Sequence, residues 1–295
     1  MTAMPTATSA PSSEAVPSAG NRRPKSLILD VYGRYSAQFH GWIAVGVLVD
    51  LMELLDVDEQ AVRSAVSRMT RRGLLKPEVR DGVRGYRTTP EADALLADGD
   101  RRIYTSMEPA SLRDGWVLVS FSMPESDRDK RHVLRSKLMW HGMGNLSSGL
   151  WIGPARLVDD VTQTLKHLGF ADYTDVFLAS YHGLGDVAEL VRHSWDLEQL
   201  ATSYQAFLDD HRPVRDQLRR RRRAVEGAEA FRWYTRALHE WRKFPYLDPG
   251  LPAELLPEEW PGRHAAQLFG DLREMLEERA FEYTAAVAAR SSARV

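Results

Sequence analysis

The residues Asp56-Val57-Asp58-Glu59-Gln60-Ala61-Val62-Arg63-Ser64-Ala65-Val66-Ser67-Arg68-Met69-Thr70-Arg71-Arg72-Gly73 read as one capped helix. The acids supply a cap and first turn, and Gly73 is the natural stop. Two short strands follow, Leu74-Leu75-Lys76-Pro77-Glu78-Val79 and Val83 to Thr88, separated by Asp81-Gly82. Asp-Gly between short strands is a strong hairpin signal, because both turn residues must take positive φ.

Upstream, Leu27, Ile28, Val31 and Tyr35 share one face of a first helix, which breaks near His40-Gly41. Trp42 to Leu55 reads as a second, nearly all-apolar helix. Three helices and a hairpin over residues 25–98 have the layout of a winged helix-turn-helix. Residues 1–24 are mostly Ala, Ser, Thr, Pro and Gly and predict a disordered tail, since they bury too little apolar surface to offset chain entropy.

Downstream, Trp116 to Met123 reads as a buried strand and Ser126 to Trp140 as an amphipathic helix. Leu146 to Ile152 forms a hairpin, Ala155 to Leu168 a second helix and Asp175 to Tyr181 a last strand. That β-α-β-β-α-β order predicts a ferredoxin-like domain over residues 99–183. Over residues 184–290 only helical patterns occur, broken at Pro213 and across Pro245 to Pro261. The expected fold class is α+β, with an all-α C-terminal domain.

On a helical projection Val62, Ala65, Val66 and Met69 fall on one apolar arc, while Arg63, Ser64, Ser67, Arg68 and Arg71 fall opposite, with no acid among them. Arginine reads guanine edges in the major groove, and serine bonds to bases or phosphates. Arg63 and Arg68 are thus expected to contact DNA. Across residues 61–88 eight bases, including the hairpin's Arg84, stand against Glu78 and Asp81, a local net charge of +6. A solvated arginine face is the plainer alternative.

Composition bounds the rest. The chain has 295 residues, 43% hydrophobic and 27% charged, with a net charge of -2, so nucleic-acid affinity must come from local clustering. With no cysteine, disulfides and thiolate zinc sites are excluded. No apolar run approaches the roughly 20 residues of a membrane span, and no secretory start is visible, so a cytoplasmic protein is expected. The histidines form no H-x-x-x-H or H-E-x-x-H array, and no Gly-rich phosphate loop or nucleophile elbow occurs. Neither a metal nor a cofactor is expected.

Several blocks together resemble the PaaX family of bacterial repressors: Ser26-Leu27-Ile28, Tyr32-Gly33-Arg34-Tyr35, Val62 to Met69, Gly73-Leu74-Leu75, Arg102-Ile103-Tyr104, Trp116-Val117-Leu118, Leu138 to Gly144, Leu150 to Pro154 and His239 to Tyr246. Gly85 and Thr88 depart from the serine and leucine more usual there. The resemblance implies a homodimeric repressor of a catabolic operon, bound to double-stranded operator DNA and released by a coenzyme A thioester such as phenylacetyl-CoA.

His239, Trp241, Arg242, Lys243 and Tyr246 join cations to flat rings, as a phosphorylated nucleotide with an acyl chain would require. Alternatively the rings are core anchors and the cations face water. The run Arg219 to Arg223 reads as a solvated helix end or as a contact for phosphates. A rival function is a metal-dependent nucleic-acid enzyme, since the middle domain also resembles the small ferredoxin-like fold of CRISPR-associated nucleases. Such an enzyme needs a carboxylate at the end of its first strand, where this chain has Phe121-Ser122-Met123-Pro124, with Glu125 and Asp127 only after the proline. The middle domain is therefore read as a dimerisation or relay module.

Overall fold

The computed structural model describes residues 24–104, 110–183, 185–221 and 224–292. The expected tail lies outside the described residues except for Pro24, which opens α1 (Pro24–Tyr35). Strand β1 (Trp42–Ala44) and helices α2 (Val45–Glu53) and α3 (Glu59–Arg71) follow, then the hairpin β2 (Leu75–Arg80) and β3 (Val83–Thr88). The second helix is thus shorter than expected. Trp42–Ala44 instead pairs antiparallel with β3, giving a three-stranded sheet of order β1-β3-β2. That apolar run carries no mark of where strand ends and helix begins; the free edge of β3 decides it. Asp81 and Gly82 both have positive φ, 47° and 80°, as the hairpin reading requires.

Helix α4 (Pro90–Tyr104) runs unbroken across the boundary expected between 98 and 99. Next come β4 (Trp116–Phe121), α5 (Arg128–Trp140), β5 (Gly144–Ser147), β6 (Leu150–Pro154), α6 (Val158–His167) and β7 (Thr174–Ala179). Their antiparallel sheet has the order β5-β6-β4-β7. Val117, Val119 and Phe121 pack on one face with Leu134, Leu138, Val161 and Leu165 from α5 and α6. Trp116 and Ile152 pack on the other with Val191, Leu197, Leu251 and Leu255.

The remaining helices are α7 (Val187–Ser194), α8 (Leu197–Arg220), α9 (Gly227–Trp241), the short α10 (Phe244–Leu247) and α11 (Gly262–Ser292). Pro213 does not break α8, contrary to the sequence expectation. A proline inside a helix costs about 3 kcal/mol. Phe207 and Leu208 before it and Leu218 after it are all buried in one core, and their burial outweighs that cost at roughly 1.5–3 kcal/mol per side chain.

That core joins the two ends of the chain. Leu27, Ile28, Val31, Leu48, Val62 and Met69 belong to the same buried cluster as Phe231, Tyr234, Leu268 and Leu276. Polar links cross the same boundary: Tyr35 Oη lies 2.9 Å from Thr235 Oγ1, and Gln38 donates to Thr284 at 2.8 Å.

Candidate functional site

Helix α3 starts where Asp58 accepts a hydrogen bond from the Ala61 amide at 2.9 Å, and it ends at Gly73, φ 70°. Val62, Ala65, Val66 and Met69 are buried, as their spacing predicts. Ser64, Ser67, Arg68 and Arg71 are exposed on the opposite side, and among the described residues Arg68 and Arg71 make no ion pair. Arg63 differs: it pairs with Glu59 one turn earlier at 2.6 Å, so the face carries an acid that the projection left out. An exposed pair of this spacing is worth about 0.3–0.5 kcal/mol, so it biases Arg63 without removing it from use.

In the hairpin, Arg80 and Arg87 both donate to Glu78, at 2.6 and 2.9 Å, whereas Arg84 is exposed. Trp42 donates its indole N–H to the Glu78 carbonyl at 3.2 Å, with the Arg80 guanidinium 5.1 Å from a Trp42 ring centre. A Cβ on Gly85 would sit 2.5 Å from that indole and 2.6 Å from the Ile43 carbonyl. This accounts for the glycine at position 85, since Trp42 fills the space. We expect Gly85→Ser to destabilise the protein by about 1–3 kcal/mol. Chemical denaturation checks this, and Trp42→Ala in the same chain should recover part of the loss. Tyr32, buried in α1, donates to the Tyr86 carbonyl at 3.0 Å and so ties the hairpin to the first helix. Burial pushes its phenol pKa up, which keeps the donor proton in place.

The five residues put forward for a ligand do not converge. His239 Nδ1 lies 2.6 Å from Asp30 Oδ2, and Arg242 donates to the other oxygen of the same carboxylate. Asp30 is on α1, its side chain only 4% exposed. Trp241 is buried, stacked on Phe269 at 5.0 Å and flanked by Phe207 and Phe244. Lys243 is half-buried over the Phe244 ring, and loss of hydration lowers its pKa. Tyr246 meets Trp140 of α5 at 4.8 Å. Arg102 of α4 lies 3.9 and 5.3 Å from those two ring centres.

Within the arginine run, Arg219 pairs with Asp271 and Arg221 with Glu229, while Arg222 and Arg223 lie outside the described residues. Arg212, Arg220 and Arg221 line an open cleft of about 680 Å³ along α8.

Asp30 is the buried carboxylate that sequence reasoning missed. Its signal was available, as a lone acid within Leu27-Ile28-Leu29-Asp30-Val31. Buried acids need partners, and His239 and Arg242 supply them. A second missed junction is His141, 4% exposed, which joins α4 to the central sheet unit. Arg102 donates to its Nδ1 at 3.2 Å, leaving Nε2–H to donate to Thr164 at 2.8 Å.

Burial, aided by Arg102, lowers the pKa of His141 to about 4. The ring is therefore neutral when folded and protonates more readily when unfolded. Its contribution is complete above about pH 6.5 and is lost as pH falls toward about 4, the loss by then amounting to roughly 3 kcal/mol. Denaturation midpoints between pH 7 and 4 should show this slope, and His141→Gln should flatten it.

Residues 23–91 match the family described as PaaX-like protein. Residues 109–191 match the PaaX protein central Cas2-like domain, and residues 195–286 the PaaX-like protein C-terminal domain. The Transcriptional repressor PaaX of Escherichia coli (strain K12) is 30% identical over 258 residues, covering 86% of this chain and 79% of that relative. A solved structure of an uncharacterized protein from Mycobacterium tuberculosis is similar in fold, with a TM-score of 0.56 and 22% identity over 88% of this chain and 98% of that one.

With an outward arginine–serine helix beside a basic hairpin, these matches define the class: a transcriptional regulator, not an enzyme. The chain belongs to the PaaX family. Among the described residues, no helix is long and apolar enough to cross a membrane.

Proposed function

We propose that this protein is a cytoplasmic, DNA-binding repressor of a catabolic operon, released by an acyl-coenzyme A effector such as phenylacetyl-CoA. In this reading residues 25–98 act as a winged helix, with α3 in the major groove and Arg84 on the adjacent backbone. The observation that carries it is the exposed row Ser64, Ser67, Arg68 and Arg71, whose opposite face is sealed in the core. One such unit covers too few base pairs to be unique in a genome, so a homodimer on an inverted repeat is the natural form. The ferredoxin-like central domain would then hold the dimer together and the helical C-terminal domain would sense the ligand.

The junction at Asp30 suggests how sensing reaches DNA. An effector phosphate competes with the Asp30 carboxylate for Arg242 and His239, with Lys243 as a further cation. Since α1 packs on both α9 and α3, uncovering Asp30 disturbs the support of the recognition helix. A tenfold preference of ligand for the released form supplies only about 1.4 kcal/mol, so an effective switch needs more.

Gel shifts on the protein's own promoter region, titrated with a thioester panel, test this reading. Calorimetry should show binding of phenylacetyl-CoA above that of free phenylacetate or coenzyme A alone. If no thioester binds or disturbs the complex, the sensing role fails. The metal-dependent enzyme is not favoured, because the similarity is to a transcriptional repressor over 86% of this chain.

A further inference from the structure

The far end of the hairpin combines two chemistries. Leu75 of β2 lies opposite Thr88 of β3, and both are buried. Leu75 shares its core with Val62 and Met69, so this face of the sheet looks toward α3. Side chains alternate along a strand, so Val79 and Arg84, which lie opposite each other, project from that same face beyond the end of the core. Val79 is 63% exposed, and Arg84 is exposed beside it. Glu78 holds the hairpin's other two arginines, Arg80 and Arg87, whereas Arg84 makes no ion pair among the described residues. An available guanidinium and an uncovered valine thus form one rung.

Reach decides what this rung meets. The strand steps from Leu75, which follows the end of α3, to Val79 span about 13 Å. The major groove is about 12 Å wide. With α3 in that groove, the hairpin passes the bordering phosphates and brings the rung to the adjacent minor groove. A phosphate satisfies a guanidinium but offers nothing to a valine. The minor groove suits both, since its sugar walls are apolar and its narrow A·T tracts carry the negative potential that attracts arginine. Asp81 is exposed at the turn and would confront phosphates if the hairpin entered tip first, so the approach is by the face of Val79 and Arg84.

We propose that Arg84 enters an A·T-rich minor groove flanking the bases read by α3, with Val79 against a deoxyribose. The hairpin then adds a preference for A·T pairs that α3 does not touch. The inference rests on the DNA-binding reading above and carries Arg84 past the backbone into the groove that it borders.

Base-analogue pairs separate the two grooves. An inosine·cytosine pair has the major-groove edge of G·C but lacks the guanine amino group, so its minor groove resembles that of A·T. On a duplex from the protein's own promoter region, hydroxyl-radical footprints of the full-length protein and of Arg84→Ala locate the sugars that Arg84 protects. These should border A·T pairs. Replacing those pairs by G·C should weaken binding of the unaltered protein at least fivefold, and replacing them by inosine·cytosine should change it less than twofold. Arg84→Ala should bind all three duplexes alike, with an unchanged thermal melt. Identical footprints overturn the inference, as does an unaltered protein that binds the A·T and G·C duplexes alike, the behaviour of a backbone contact. Inosine·cytosine that weakens binding as much as G·C, or discrimination that persists in Arg84→Ala, overturns it too. Each of these outcomes leaves the DNA-binding reading standing. No binding of the unaltered protein to any duplex from that region removes the DNA-binding reading and this inference together.

Discussion

Replacing Arg68 and Arg71 together by alanine should reduce operator affinity by about 2–6 kcal/mol, the sum expected for a pair of major-groove or phosphate contacts. Both side chains are exposed and neither makes an ion pair among the described residues, so stability should change by less than about 0.5 kcal/mol. Fluorescence anisotropy on a labelled operator measures the first quantity and thermal melting the second. Arg63→Ala should cost less than either single change, because Arg63 must first leave Glu59. Where one of these arginines only positions phosphate, its loss lowers the salt slope by about one unit and weakens all sequences alike. Unchanged operator binding by the Arg68→Ala, Arg71→Ala protein would remove α3 from the interface.

The second large effect concerns Trp241. Packed against Phe269, Phe207 and Phe244, its truncation to alanine should destabilise the protein by about 3–5 kcal/mol. That is a large share of the 5–15 kcal/mol typical of a whole domain. Trp241→Phe should cost about 1 kcal/mol or less. Among the described residues the buried indole N–H meets no acceptor, and removing an unsatisfied donor offsets part of the lost contact. Urea titration distinguishes the two variants. Because α1 to α3 share this core, operator binding by the alanine variant should fail together with the fold, over the same temperature range. Full stability with loss of thioester binding alone would instead place Trp241 against the ligand.

These expectations bear on how the sensing residues are to be tested. Arg242 and His239 hold a buried carboxylate, so truncating either leaves Asp30 short of a partner and confounds a lost response with a loosened α1. Lys243 is the cleaner probe: it forms no part of that pair. Lys243→Ala should keep operator affinity and weaken the response to thioester.

What the sequence determined by itself is local. The apolar spacing Val62, Ala65, Val66, Met69 set the buried face of α3, and Asp58 and Gly73 set its ends, because caps and helical periodicity are encoded within a turn or two. Asp81-Gly82 set the hairpin for the same reason, and the alternation of strands and helices after Trp116 set the β-α-β-β-α-β order. Only the tertiary structure decided which apolar surfaces meet. Nothing in residues 42–44 distinguished a strand from a helix start until β3 offered an edge, and nothing around Pro213 showed that burial on both sides would carry α8 through it. His239 to Tyr246 looked like one cluster because its residues are consecutive. Successive positions on a helix point about 100° apart, so at the end of α9 Trp241 enters the core while His239 and Arg242 reach Asp30, and the separate α10 carries Tyr246 to Trp140. Contacts separated by some 200 positions, as in Asp30–His239, follow from packing geometry that no local pattern contains.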